Sequence, residues 1–264
     1  MSSTAINGEI MKRLSLAAAV SMLGLALVIS PMTELQAAEL RILAGGSMTG
    51  VLNELGPQFE RASGHKLVIH FDSTPNLIKQ VTSDAPFDLA VVPVDVFKDT
   101  AARARFVPGP TIDIARVGYG VIVRSGAPKP DISTPDGLKQ ALLKAQSITF
   151  LPESAAGAYV SKVFERLGIG EAMKAKTRPQ TATTAITPAV ANGEAELGVF
   201  LVNVLIGPGV ELAGSFPAEL QQELVFTAAV AADSQQADAA KAFIDYLRTP
   251  AATATITAKG MTPG

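Results

Sequence analysis

One stretch near the N-terminal end dictates what kind of fold this chain can adopt. Leu40 to Gly50 reads Leu-Arg-Ile-Leu-Ala-Gly-Gly-Ser-Met-Thr-Gly. Leu40 to Ala44 is an apolar run of strand length, Gly45 and Gly46 turn the chain, and Val51, Leu52, Leu55 and Phe59 fall on one helix face. A strand that turns through glycines straight into a helix brings first-turn N–H groups and the positive end of a helix dipole to the end of the strand. That combination suits an anion. Ser47 and Thr49 add hydroxyls, although Ser47 reads equally well as an ordinary helix N-cap.

The same unit recurs along the chain. Lys66 to Phe71 alternates with Leu67, Ile69 and Phe71 on one face. Asp72-Ser73-Thr74-Pro75 then opens a helix carrying Leu77, Ile78 and Val81. Ser73 and Thr74 are helix caps or site residues on this reading. Asp88 to Val92 is a third strand. Ile114 to Arg124 reads as one long strand with Gly118 and Gly120 inside it, and Ser125 to Pro130 as a surface linker. After the linker the pattern restarts. Ser147 to Leu151 is a strand, Pro152 to Gly157 a loop, and Tyr159, Val160, Val163, Phe164 and Leu167 a helix face. Thr181, Thr183 and Thr184 form a hydroxyl-rich turn before a short helix. Leu197 to Leu201 and Leu224 to Ala231 are further strands, and Ser234 is placed to cap a late amphipathic helix. Strands alternating with helices define an α/β chain with mostly parallel sheets, and the restart after residue 125 divides it into two lobes.

Composition removes several function classes. Of 264 residues, 48% are hydrophobic and 17% charged, with a formal net charge of -2, so no nucleic-acid partner is indicated. Cysteine is absent, which excludes a disulfide framework and thiolate metal sites. The two histidines, His65 and His70, lie five apart and point to opposite sides of a strand, so they form no local metal pair. No Ser–His–Asp set, paired carboxylate or metal cluster stands out, so no catalytic residue, metal or cofactor is expected. Lys12 and Arg13 precede an apolar run from Leu14 to Ile29, then a polar stretch and Ala37-Ala38. That order reads as a signal peptide over residues 1–38, with Met11 as an alternative start.

Set in order, the motifs resemble those of the periplasmic molybdate-binding proteins, the solute-binding components of ABC importers. Ala44 to Thr49 is similar to the first family motif. Phe71 to Val81 resembles the second, and Asp84 to Val91 the strand entry after it. Ala156 to Gly168, Gly193 to Gly198 and Lys241 to Pro250 resemble later segments. The resemblance implies a two-lobed type II periplasmic-binding-protein fold. Lobe one would be 39–119 plus 226–264 and lobe two 120–225, joined by two crossing hinge strands, Ile114 to Arg124 and Leu224 to Ala231. It implies ligand contacts at Ser47, at Thr74 with Ser73 beside it, at the backbone of Ala156, and near Thr183. The tyrosine that donates its hydroxyl in the family falls at Leu201, so that donor is missing. Asp72 stands where the family has a small residue. The expected function is binding of a molybdate- or tungstate-like oxyanion by a monomeric, non-enzymatic periplasmic protein that serves a membrane permease. The alternatives are a small organic carboxylate lying against Phe200 or Leu201, and a ligand-sensing role.

Overall fold

The computed structural model describes residues 37–264. The segment read as a signal peptide lies, except for its last two residues, outside the described ones. In chain order the strands are β1 (Glu39–Gly45), β2 (Lys66–Asp72), β3 (Leu89–Pro93), β4 (Ile112–Val117), β5 (Tyr119–Arg124), β6 (Ile148–Phe150), β7 (Thr177–Pro179), β8 (Leu197–Leu201), β9 (Val210–Ser215), β10 (Leu224–Val230) and β11 (Thr262–Pro263). The helices are α1 (Thr49–Ser63), α2 (Thr74–Val81), α3 (Thr100–Arg103), α4 (Pro135–Lys144), α5 (Ala155–Arg166), α6 (Gly170–Lys176), α7 (Ile186–Ala191), α8 (Val202–Leu205), α9 (Ala237–Leu247) and α10 (Pro250–Ala258). No helix among the described residues is long and apolar enough to cross a membrane.

Two sheets organise the chain into two lobes. The first runs β11-β4-β10-β3-β1-β2, the second β7-β6-β8-β5-β9. Both are mixed. β1 pairs in parallel with β2 and β3, and β6 with β7 and β8, because helices return the chain over these strands. β10 pairs antiparallel with β3 and β4, and β5 antiparallel with β8 and β9, where the chain has passed from one sheet to the other. The sheets are therefore less uniformly parallel than the sequence pattern suggests.

Burial follows the residue pattern. In β1, Leu40, Ile42 and Ala44 are buried on the side of Val51, Leu52, Leu55 and Phe59 of α1. β3 is buried throughout and serves two cores. Leu89 and Val91 join the main core, while Ala90 and Val92 pack with Leu77 and Val81 of α2 and with Phe87, Phe97 and Phe106. His65 is a core histidine. Its Nδ1 accepts from the Ala38 N–H at 3.1 Å, and its ring stacks on Phe59.

The crossings differ in detail from the sequence expectation. Ile114 to Arg124 is not one strand, for it breaks at Gly118 into β4 of the first sheet and β5 of the second. The return crossing is the segment 216–223, and β10 lies wholly within the first sheet. The two crossings are tied by one side chain. Gln221 accepts from the Tyr119 N–H at 2.8 Å and donates to the Tyr119 carbonyl at 3.0 Å, imitating a strand partner. Its amide lies 3.0–3.2 Å from where a Cβ at position 118 would sit, so the break is at a glycine. Ser234 caps the late helix only indirectly: its Oγ accepts from the Gln236 N–H at 3.0 Å and donates to Asp88 at 2.7 Å, while α9 begins at Ala237.

Gln221→Ala leaves the buried Tyr119 N–H without this partner, while the Tyr119 carbonyl keeps its bond from the Phe216 N–H at 2.9 Å. The expected loss is about 2 kcal/mol of unfolding free energy, read as a lower urea midpoint with an unchanged slope.

Candidate functional site

Four helix-opening turns meet between the lobes. The first is Gly46 to Met48, a single 3-10 turn that leads into α1. Ser47 is buried, and its hydroxyl makes no capping bond at either helix start, so the N-cap reading does not describe it. The local bond belongs to Thr49, whose Oγ1 donates to the Gly46 carbonyl at 2.6 Å. The second turn follows β2. Ser73 occupies the N-cap position of α2 with extended backbone, and its side chain also makes no capping bond. Thr74 is buried, and its Oγ1 accepts from the Ala155 N–H of the opposite lobe at 3.2 Å. An accepting hydroxyl keeps its own proton for another partner.

The third turn precedes α5. Ser154 caps it, accepting from the Gly157 N–H at 2.9 Å and donating to the Leu151 carbonyl at 2.9 Å. A Cβ on Gly157 would overlap the Leu151 carbonyl oxygen, so only glycine lets the helix start this close to the strand end. Ala156 is buried, and among the described residues its N–H has no hydrogen-bond partner, as first-turn amides lack intrahelical ones. The fourth turn runs from Thr181 to Thr184. The Thr183 hydroxyl donates across the cleft to the Gly46 carbonyl at 3.1 Å. That proton is therefore engaged, and Thr184 carries the unengaged hydroxyl beside it.

These turns enclose a cavity of about 280 Å³. It lies at the carboxyl ends of β1, β2, β3 and β8 and just past β6, where open α/β sheets bind their ligands. Ser47, Ser73, Thr74, Ala156 and Thr183 all line it. Leu201 does not. It is fully buried beside Tyr119, its strand partner, and the two-residue period of β8 turns Phe200 into the cleft instead. The resemblance placed the lost tyrosine at Leu201, and the side chain that faces the cavity is its neighbour. Phe71, Phe226 and Leu151 also line it, together with Phe200.

Among the described lining residues there is no lysine or arginine, and Asp72 is the one ionisable side chain. Burial alone would raise its pKa. Hydrogen bonds outweigh that: from Asn76 at 2.9 Å, from the Ser73 N–H at 2.7 Å, and from nearby His70, which together hold the carboxyl below its ordinary value. Gln80 also donates to it, at 2.8 Å. The carboxylate is thus turned toward the start of α2, which it anchors.

Sequence reasoning missed Asn203. It is the one polar side chain in the apolar stretch Val202 to Ile206, which was the available signal. Its Nδ2 donates to the Ser47 carbonyl at 2.7 Å, a third bond across the cleft.

Two sheets meeting at a cleft rimmed by helix N-termini, with no lysine or arginine among its described lining residues, have the two-lobed architecture of periplasmic binding proteins. The described chain agrees with that class. It belongs to the bacterial extracellular solute-binding protein family, whose model matches residues 40–262. It is 32% identical over 231 residues to a Pseudomonas protein named aconitate isomerase, covering 85% of this chain and 87% of that one. It is 29% identical over 232 residues to the molybdate-binding protein ModA of Azotobacter vinelandii, covering 85% and 90%. The solved structure of the Azotobacter vinelandii periplasmic molybdate-binding protein superposes with a TM-score of 0.71 at 21% identity, covering 84% of this chain and 98% of that one.

The Asp72 contacts predict an acid-side dependence of stability. A depressed carboxyl pKa contributes stability above the ordinary aspartate value, and that contribution fades as pH falls through the folded-state value. Asp72→Asn should lower Tm at pH 7, and the difference from the parent should shrink below about pH 4. Thermal denaturation at pH 7 and pH 3 checks this.

Proposed function

We propose that the protein is the solute-binding component of an ABC importer, exported to the periplasm by a cleaved signal peptide, and that it holds a small organic carboxylate between its lobes. The lobes follow the two sheets, with residues 39–117 and 224–264 in one and residues 119–215 in the other, a shift of a few residues from the bounds 39–119 plus 226–264 and 120–225 expected from the sequence. The closed form is what a membrane permease receives. The observation that carries the ligand class is Phe200, an aromatic ring at the strand position that faces the cleft.

A tetrahedral dianion such as molybdate or tungstate presents acceptors in every direction. Each one left unpaired in a buried site costs about 1–3 kcal/mol, more when charged. Phe71, Phe200 and Phe226 line the cavity and offer no donor. An organic carboxylate separates its charged groups by carbon, which can lie on a ring while the carboxylates meet donors. Its carboxylates meet the hydroxyls of Ser47, Ser73 and Thr74 and the Ala156 N–H, and its carbon skeleton lies on the rings. The molybdate-like ligand expected from the sequence has no carbon to set against these rings. In this reading the protein binds and releases its ligand unchanged.

A second reading is favoured by the 32% identity to a protein named aconitate isomerase. Aconitate is an unsaturated tricarboxylate, whose planar carbon skeleton separates its charged groups as the proposed ligand class requires. Interconversion of its cis and trans forms would take place in the same cleft, with Asp72 the nearest titratable side chain.

Thermal shift separates the ligand classes, since a ligand at a hundredfold excess over Kd adds about 2.7 kcal/mol. Citrate and cis-aconitate should raise Tm, whereas molybdate, tungstate and sulfate should not. The reverse pattern refutes the carboxylate reading. Proton NMR of the cis-aconitate sample should show unchanged ligand, and growth of trans-aconitate signals would establish the second reading instead. Ser47→Ala should weaken binding of cis-aconitate about tenfold or more while barely changing the Tm of the free protein. Unchanged affinity removes Ser47 from the site.

A further inference from the structure

We propose that Asn203 is a positioning residue that latches the second lobe onto the Ser47 turn, and so sets how long a ligand stays bound. This goes beyond the ligand-binding reading by naming the device that holds the cleft shut, and it rests on that reading only for its ligand-release arm.

Asn203 sits on α8, the short helix immediately after β8. Its Nδ2 donates to the carbonyl of Ser47, at 2.7 Å, from the other side of the cleft. Thr183 makes the neighbouring bond to the Gly46 carbonyl at 3.1 Å. Two consecutive carbonyls of the first turn are thus held by side chains of the opposite lobe. The third cross-cleft bond, Thr74 to the Ala155 N–H, is longer, at 3.2 Å, and lies on a different turn. The latch therefore falls on the peptide that carries the Ser47 hydroxyl.

The amide end matters. Asn203 Oδ1 is buried and has no partner among the described residues, so the side chain is held by its donor end alone. The group it meets is a carbonyl oxygen, which only the NH2 end can satisfy. Asn203 is absent from the lining of the 280 Å³ cavity and lines instead an adjoining chamber of about 520 Å³, with Thr187, Ile206 and Lys259. It thus stands behind the Ser47 turn and acts on ligand through it.

This arrangement makes Asn203→Asp a sharper test than truncation. Aspartate keeps the size and shape of the side chain but replaces the donor with a carboxylate oxygen facing the Ser47 carbonyl. If Asn203 only packs, aspartate is tolerated and alanine is not. If Asn203 latches, both variants release the lobe, and aspartate at least as fully as alanine.

Small-angle X-ray scattering of the ligand-free protein reads the lobes directly and does not depend on which ligand is correct. Both Asn203→Ala and Asn203→Asp should have a larger radius of gyration than the parent, with unchanged far-ultraviolet circular dichroism. Stopped-flow release of cis-aconitate should be about fivefold faster in the alanine variant, the factor for one net hydrogen bond, with association little altered. A parent-like radius in either variant overturns the proposal. If both radii grow and cis-aconitate fails to bind any form, the latch stands and the carboxylate reading falls.

Discussion

An anion buried without a cation has to be held by N–H and O–H donors, and a fold can offer such donors only if it leaves them unused. The proposed site meets that constraint. Helix starts supply amides that have no intrahelical partner, and strand ends bring several such starts to one place. The chain then withholds the usual local caps. Ser47 and Ser73 occupy helix-opening positions without capping them, and Ala156 keeps its N–H unengaged. Where a turn does need a cap, other residues supply it. Thr49 bonds the Gly46 carbonyl, and Ser154 caps α5.

The same turns also join the lobes. Thr74, Thr183 and Asn203 each make one bond across the cleft, and two of the three end on the Gly46–Ser47 backbone. Closure and ligand binding thus share a single segment. At the opposite end of the cleft, Gln221 ties the two chain crossings at Tyr119 and fixes where the lobes part. The cavity is lined by hydroxyls and amides and also by the rings of Phe71, Phe200 and Phe226. That mixed lining is the basis for proposing a carbon-bearing anion rather than a symmetric oxyanion.

Much of this was legible in the sequence because it depends on short-range chemistry. Glycine turns after apolar runs located the strand ends, and hydroxyls next to proline located the helix starts. Five of the six site residues named from sequence line one cavity. The sixth, Leu201, failed for a geometric reason. Likeness to a family aligns positions, but the pleat decides which of two neighbours faces inward, and in β8 that neighbour is Phe200. The break at Gly118 was hidden because the residues on both sides favour strands, and only the pairing partners, β10 for β4 and β8 and β9 for β5, divide them. Asn203 was hidden because its partner is a backbone carbonyl 156 residues away, which no local pattern encodes. The engagement of the Thr183 hydroxyl by Gly46 was invisible for the same reason.

In the proposed reading the rings lining the cavity, and not the missing tyrosine alone, set the ligand. Titration calorimetry tests it most directly, as the ratio of the Kd values for cis-aconitate and molybdate in the protein and in Phe200→Tyr. The carboxylate reading predicts tighter binding of cis-aconitate by the unaltered protein, and a ratio that moves toward molybdate when the hydroxyl is restored to the cleft. Tighter binding of molybdate by the unaltered protein, or a ratio indifferent to the new hydroxyl, contradicts it.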